Sequence, residues 1–178
     1  MHRASHSINW LWASHAVHHS SQRMIVSSSI RLTWTPVFSG VFLFYLPLVW
    51  LGFTPEWVYG MVSMSLAFQF FVHNELVPRL GWLEYIFDTP SNHRVHHGIN
   101  DIYLNKNYGG VLMIWDHLFG TYQAERKDIK ATFGLTNALP RPSNVLNVAF
   151  GQLMRFIKSI VTAPNWKSRL DIFFGPPQ

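Results

Sequence analysis

The stretch Thr89-Pro90-Ser91-Asn92-His93-Arg94-Val95-His96-His97-Gly98 contains three histidines in the order His-x2-His-His. Positions i, i+3 and i+4 of an α-helix fall within roughly 100° of one face, so this spacing predicts three imidazoles that converge on one point. Imidazole is the commonest metal ligand among protein side chains. The sequence therefore predicts a metal site, and two further histidine groups with helical spacing support it: His15, His18 and His19, and His2 and His6.

Chance is a poor explanation of these groups. With ten histidines in 178 residues, a His-x2-His-His triplet should occur about 0.03 times in such a chain, and there are two. Neutral imidazoles packed together without metal would leave many buried donors and acceptors unpaired. A histidine-rich patch that binds metal without catalysing a reaction is the alternative at this point.

The composition indicates contact with a membrane. Charged residues make up 13% of the chain, against about 25% in soluble proteins.

There is no cysteine, so neither disulfides nor thiolate ligands enter the site. The net charge of +5 comes from scattered basic residues, and the aromatic residues lie in apolar runs, which argues against a nucleic-acid partner.

Two uncharged runs predict a transmembrane helical hairpin at about residues 36–73. No Asp, Glu, Lys or Arg occurs in 32–55 or in 57–74, and 52–56 has the residues of a tight turn. Arginines precede and follow the hairpin, whereas its turn has no cation. The positive-inside rule therefore places both ends, and every histidine group, on the cytoplasmic side. Two buried core helices are the alternative, because each run is close to the lower length limit for a span.

Residues near the histidine groups are candidates to bind metal or to orient a ligand. His73 lies where the second run ends, and an ionisable residue at such a position is a candidate ligand. Glu75 and Asp116 are candidates to accept a hydrogen bond from a ligand imidazole. The alternatives are an interfacial carboxylate for Glu75, and helix capping or a surface salt bridge for Asp116. One unbroken helix would place His15 about 220° around the axis from His2, so the chain must turn between them if both bind at one site.

Residues 126–178 are expected to form a C-terminal extension of the histidine-bearing part, residues 1–125. Ser143 is a candidate helix cap. Apolar residues then recur at helical spacing and predict an amphipathic helix at about 143–162: Leu146, Phe150, Leu153, Ile157 and Val161. This stripe suits either a membrane interface or packing on the rest of the chain, and both interpretations stay open.

The number of imidazoles indicates two metal ions. Eight or nine candidate ligands exceed the roughly four to six positions around one ion. Imidazole-rich sites without thiolates suit iron, zinc or copper. Attack on an unactivated C–H bond requires O2 and a redox-active metal, which zinc is not. Iron is therefore the prediction if the reaction is an oxidation.

The histidine groups resemble the three histidine boxes of the fatty acid hydroxylase superfamily. The resemblance covers about residues 1–125 and implies an all-α, integral-membrane helical bundle with a transmembrane hairpin and a cytoplasmic, histidine-rich cap for two metal ions. Further segments are similar to the sterol desaturase and alkylglycerol monooxygenase branch: residues 10–21, Gly81-Trp82-Leu83-Glu84-Tyr85, Asn107-Tyr108-Gly109-Gly110 and Trp115-Asp116-His117-Leu118-Phe119-Gly120-Thr121.

The resemblance implies a membrane-bound, non-haem di-iron oxygenase that uses two iron ions and O2 to hydroxylate or desaturate a lipid, such as a sterol, fatty acyl or alkyl-ether chain. Its partners would be a membrane lipid and an electron source, either an electron-donor protein or a reduced pterin. The metal ligands of the family transfer to the boxes and to one histidine at the end of a span: His2, His6, His15, His18, His19, His73, His93, His96 and His97.

The chain departs from the family pattern at two places. Family members usually have Arg where this chain has His117, so His117 is not expected among the ligands. They carry further spans before the first box, whereas His2 follows Met1 directly, so we expect that the chain lacks the N-terminal transmembrane part. A non-catalytic, metal-binding membrane fragment is therefore the alternative to the oxygenase. A soluble, histidine-rich metal-storage protein is disfavoured by the two uncharged runs.

Overall fold

The computed structural model describes residues 1–31, 39–139 and 144–177, and its regular structure is helical. Strand-like pairing is limited, in these ranges, to two isolated antiparallel bridges, Phe87 with Leu112 and Gly98 with Phe133. The all-α prediction is confirmed. The α-helices are α1 (His2–Ser7), α2 (Asn9–His19), α3 (Leu46–Trp50), α4 (Pro55–Val72), α5 (Pro90–His97), α6 (Ile114–Leu118), α7 (Val145–Thr162) and α8 (Trp166–Phe174), with five-residue 3-10 helices at Val26–Ile30, Val41–Tyr45 and Gly81–Tyr85.

The first two histidine groups lie on α1 and α2, which meet at Ile8. Ile8 is extended (φ −116°, ψ 119°), so the helix axis changes direction there and the predicted turn between these groups is confirmed. The C-terminal segment fixes this turn. The backbone N–H of Asn9 donates to the carbonyl of Gly175 (2.8 Å), and its side-chain amide donates to the carbonyl of Ile172 (3.0 Å).

Helix α5 carries the third histidine group and is buried along its whole length. It begins at Pro90, whose fixed φ suits the first helical position. Thr89 caps the helix, since its hydroxyl accepts a hydrogen bond from the backbone N–H of Asn92 (3.3 Å). Val95 packs in the apolar core against Tyr103. Polar side chains on a buried helix need partners inside the protein, so polar contacts position α5 together with apolar packing.

The predicted transmembrane hairpin at about 36–73 is wrong. No helix within the described ranges is long and apolar enough to cross a bilayer. Residues 36–38 lie outside the described residues. The rest of the first run forms a 3-10 helix and the five-residue α3, because Gly40 and Gly52 at positive φ (70° and 98°) interrupt it on either side. Helix α4 has 18 residues, about 27 Å in length, but polar residues such as Gln69 lower its hydropathy.

The large apolar side chains of α3 and α4 are exposed, so the alternative of two buried core helices does not hold either. Trp50 is 82% exposed and Trp57 is 70% exposed. The prediction that the metal site is cytoplasmic applied the positive-inside rule to this hairpin, so without the hairpin the prediction has no basis.

The C-terminal helices α7 and α8 pack against α2. Trp10 of α2 is central to this contact. Its ring centre lies 5.4 Å from that of Phe156 and 5.2 Å from that of Phe173, to which it is nearly parallel. The C-terminal segment therefore supports the helix that carries the second histidine group.

Helix α7 packs on the chain by a different face from its apolar stripe. The stripe points outward, with Leu146 68% and Val161 69% exposed, while Phe156 is buried. Asn144 caps the helix, because its side chain accepts hydrogen bonds from two backbone N–H groups. The predicted cap, Ser143, lies outside the described residues.

Candidate metal centre

Helices α1, α2 and α5 and the end of α4 bring nine histidines together, the same nine that the sequence predicts as ligands. They form two groups, and within each the candidate ligand atoms lie within 4.8 Å of one another. The five-histidine group consists of His2, His6, His15, His19 and His96, and the four-histidine group consists of His18, His73, His93 and His97.

Each His-x2-His-His box is divided between the two groups, so the expected convergence of three imidazoles on one point is wrong. On a helix, residue i+4 lies about 40° to one side of residue i and residue i+3 about 60° to the other. Residues i and i+4 therefore stay together, and residue i+3 joins the other group. The division is His15 and His19 against His18 in α2, and His93 and His97 against His96 in α5.

Three backbone carbonyls fix the tautomer of three imidazoles. A carbonyl oxygen only accepts, so the Nδ1 atom facing it carries the hydrogen, and Nε2 of the neutral ring then has a lone pair. Such a ring presents Nε2 to a metal. The pairs are His2 Nδ1 with Tyr108 O (2.9 Å), His73 Nδ1 with Gln69 O (2.5 Å) and His96 Nδ1 with Lys106 O (3.2 Å).

The Nε2 atoms are spaced like ligands around an ion. Nε2 of His73 lies 3.1 Å from Nε2 of both His18 and His93. One lone pair accepts one hydrogen bond, so hydrogen bonding does not account for both contacts. In the five-histidine group, Nε2 of His15 lies 3.1 Å from Nε2 of His2. Metal–nitrogen bonds of about 2.1 Å at right angles separate two ligand nitrogens by about 3.0 Å, which matches these distances.

Four imidazole nitrogens are buried without a hydrogen-bond partner among the described residues, and each group contains two of them. An unpaired buried polar atom costs about 1–3 kcal/mol, and native proteins contain few. The residues therefore fit two metal ions, one for each group, and the all-imidazole set suits iron, zinc or copper. The four atoms are His6 Nε2, His18 Nδ1, His96 Nε2 and His97 Nε2.

Burial keeps these imidazoles neutral. It is the largest cause that lowers the pKa of every histidine in both groups, and repulsion between neighbouring imidazoles adds to it for most of them. The pKa of His18 falls to about 3. Metal binding requires the neutral imidazole, so no proton has to be displaced from these rings at neutral pH.

Asp88 is a candidate that reasoning from the sequence missed. It is fully buried, and its Oδ2 lies 2.8 Å from Nδ1 of His93. A carboxylate at this position orients the ring and makes its other nitrogen a stronger ligand. Burial, and then the charge of Asp116, raise the pKa of Asp88 well above its usual range, so a nearby cation would stabilise its charged form. The available signal was a carboxylate five residues before the first histidine of a box.

Asp116 influences the centre through the backbone. Its carboxylate accepts hydrogen bonds from the N–H groups of Tyr108 and Gly109 (both 2.7 Å) and from the hydroxyl of Thr121 (2.6 Å). The carbonyl of Tyr108 in turn accepts the hydrogen of His2 Nδ1. The sequence left open a direct bond from Asp116 to a ligand imidazole. The structure instead places Asp116 where it fixes the loop that orients His2.

Glu75 and His117 lie outside both groups. Glu75, the other predicted partner of a ligand, accepts a hydrogen bond from the backbone N–H of Met24 (3.0 Å) and so joins the segment after α2 to the end of α4. His117 is exposed. Its ring stacks on those of Tyr85 and Tyr122, with centre-to-centre distances of 5.3 and 4.1 Å, in line with its omission from the predicted ligands.

A cavity of about 1410 Å³ opens onto both groups. His15 and His73 contribute to its wall at one end, and the other end lies at the turn between α3 and α4, at Gly52 and Phe53. Most of the side chains between these ends are apolar. An apolar cavity that leads to a polar centre suits a ligand with a long apolar chain.

Comparisons with known proteins identify the family of the chain. The fatty acid hydroxylase family profile matches residues 1–121. The chain is 37% identical to human (Homo sapiens) alkylglycerol monooxygenase, over 99% of the chain and 38% of that protein. It is 45% identical to the alkylglycerol monooxygenase of Danio rerio, over 78% and 30%. It is 33% identical to an ornithine lipid hydroxylase of Rhizobium tropici, over 79% and 42%.

The chain spans less than half the length of these relatives. No solved structure matches it significantly. The family profile covers more than half of the chain and all three histidine boxes, and the similarity to the human relative extends over nearly every residue. The chain therefore belongs to the fatty acid hydroxylase superfamily, in the alkylglycerol monooxygenase-like branch.

Proposed function

We propose that the chain hydroxylates a lipid with two iron ions and O2. The observation that carries the proposal is the apolar cavity that ends at two groups of neutral imidazoles, all of them buried or partly buried. The relatives support a lipid substrate, since they are an alkylglycerol monooxygenase and an ornithine lipid hydroxylase.

Iron suits both the ligands and the reaction. Imidazole binds iron, zinc and copper, and bound iron supplies the redox chemistry that activates O2 and breaks a C–H bond. Conversion of C–H to C–OH uses one oxygen atom of O2, and the other leaves as water, which consumes two electrons and two protons. Imidazoles and carboxylates do not supply these electrons. An external donor, either an electron-donor protein or a reduced pterin, is therefore part of the proposal.

The side chains of the centre have separate tasks in this proposal. The five-histidine and four-histidine groups each hold one ion. Asp88 orients His93 directly, and Asp116 orients His2 through the backbone of Tyr108. The apolar wall excludes water and aligns the lipid chain, so that one carbon of the lipid is held next to the imidazole groups.

The test uses the full chain in detergent, loaded with iron and supplied with O2 and, in separate assays, a reduced pterin or an electron-donor protein, with a 1-O-alkylglycerol and an ornithine lipid as probes. We expect an oxygenated product from at least one lipid, identified by mass spectrometry and labelled by 18O2. His96→Ala should abolish the product and lower the iron content. The matched control, His117→Ala, changes an exposed histidine outside both groups and should affect neither. A protein with two irons that oxidises neither lipid would refute the proposal.

A further inference from the structure

The face of α4 that lines the cavity changes character along its length. Val58 and Val62, toward the start of the helix, are apolar, whereas Ser65 and Gln69 are polar. The spacings of four, three and four positions place these residues on one helix face. His73 of the four-histidine group follows Gln69 after one more turn. A lipid along this face would therefore meet polar atoms next to the metal centre and apolar atoms beyond them.

The side-chain amide of Gln69 is held at this position by its neighbours. Its Nε2 donates to the hydroxyl of Ser65 (3.0 Å). Gly110 packs against the side-chain amide of Gln69. A Cβ added to Gly110 would lie 2.9 Å from Gln69 Nε2 and 3.6 Å from Ser65 Oγ. The main-chain carbonyl of Gln69 accepts the Nδ1 hydrogen of His73 (2.5 Å). The location of the amide is thus tied to that of a metal-centre histidine.

The bond to Ser65 uses only part of the hydrogen-bonding capacity of this amide. A glutamine amide has two N–H hydrogens and one carbonyl oxygen, and Ser65 is its side-chain partner in the described part of the chain. A polar group that faces an apolar cavity is unfavourable unless it is paired. If Ser65 and Gln69 only hydrogen-bonded to each other, two apolar side chains could replace them at little cost in stability. The position of the pair beside His73 points instead to a polar atom of the ligand.

We propose that Gln69, positioned by Ser65, is a specificity-determining residue that donates a hydrogen bond to an ether or ester oxygen of the lipid. This inference rests on the proposed function. A lipid bound in this way places the carbons next to that oxygen at the imidazole groups and extends its apolar chain along Val62 and Val58. The cavity thereby selects lipids whose oxidised carbon is close to an oxygen-containing linkage.

The test measures binding, so that it does not depend on turnover. Three lipids of equal length compete for binding to the full chain, which is loaded with redox-inert Zn²⁺. They are a 1-O-alkylglycerol, the ester-linked analogue, and an analogue in which methylene replaces the linking oxygen. We expect the wild-type chain to bind one of the oxygen-linked lipids about tenfold more tightly than the methylene analogue, which is the effect of one hydrogen bond. Gln69→Leu should remove this preference and leave the affinity for the methylene analogue unchanged.

Two variants and one control separate specificity from folding. Gln69→Met keeps the length of the side chain, and it should also lose the preference for oxygen-linked lipids; it replaces Gln69→Leu in the test if that variant fails to fold. Ser65→Ala should reduce the preference by a smaller amount. Zinc content reports that the centre is intact. The control, Val62→Ala, lies on the same face and should weaken all three lipids equally. Equal wild-type affinity for the three lipids, or a preference that survives in Gln69→Leu, would overturn the inference. Failure of the proposed function appears separately, as a retained preference without any oxidised product.

Discussion

Replacing Asp88 by alanine should weaken metal binding at the four-histidine group and leave the five-histidine group unchanged. Oδ2 of Asp88 and Nδ1 of His93 are 2.8 Å apart, and both side chains are buried (0% and 1% exposed). Without the carboxylate, a buried ring nitrogen of His93 loses its partner, at a cost of about 1–3 kcal/mol. Loss of such a partner lowers metal affinity about 10- to 100-fold, or about 1.4–2.8 kcal/mol. The two estimates agree.

The assay is a titration of the metal-free chain with Zn²⁺ in competition with a chelator, which should show two binding steps. We expect one step to weaken about 10- to 100-fold in Asp88→Ala and the other to stay in place. Asp128→Ala is the matched control, because Asp128 is exposed and pairs with Arg126, and it should move neither step. An equal shift of both steps, or no shift, would refute the reasoning that Asp88 acts through His93.

Three other outcomes are expected. The folded-state pKa values of the group histidines lie below the ordinary 6.5, so the unfolded metal-free chain binds more protons below that pH. Its free energy of unfolding should therefore be greatest above pH 6.5 and fall by about 1.4 kcal/mol per pH unit for each histidine that stays neutral; denaturant titrations at pH 7 and 5 measure this, and greater stability at pH 5 would contradict it. His117→Arg should retain both metals and most activity, because the ring stacks on the surface, whereas His97→Arg should lose metal; metal analysis decides, and a lost ion in His117→Arg would make His117 a ligand. Gly109→Ala should destabilise the fold by more than about 1 kcal/mol, since its Cβ would lie 2.5 Å from the carbonyl oxygen of Leu112, whereas Gly60→Ala has open space and should stabilise α4 by up to about 1 kcal/mol; thermal unfolding compares the two.

Histidine spacing predicted which residues come together but not how they divide. Within a helix face about 100° wide, the side chains of residues i and i+4 point in one direction and that of residue i+3 points in another. Whether these directions lead to one centre or to two depends on the helices placed opposite, which local spacing does not contain. His18 illustrates this point. It lies between His15 and His19 in the sequence, but it joins histidines from α4 and α5.

The groups that orient the ligands were largely invisible in the sequence. Three of them are backbone carbonyls, those of Tyr108, Gln69 and Lys106. Every residue has a carbonyl, so residue type gives no signal for this role. Asp88 has a carboxylate, but only the tertiary structure shows that it faces His93.

The membrane hairpin was predicted from the absence of charge, which is not the same property as apolarity. Helix α4 contains Ser65 and Gln69 and is 18 residues long, so its hydropathy stays below that of a span. The first run contains Pro47 and is interrupted by Gly40 and Gly52 at positive φ. The backbone conformation therefore ends the helix within a run that the absence of charged residues had predicted to be one continuous span.

Under the proposed function, the length of the cavity along α4 limits how much of a lipid chain it can bind. His73 and Trp57 are sixteen residues apart, or about 24 Å along the helix. Each methylene that leaves water for this wall contributes about 0.8 kcal/mol, a factor of about four in affinity. Within a homologous series, affinity should therefore rise about fourfold per carbon and level off once the chain reaches the turn at Gly52. The position of that turn sets the chain length beyond which longer lipids bind no more tightly.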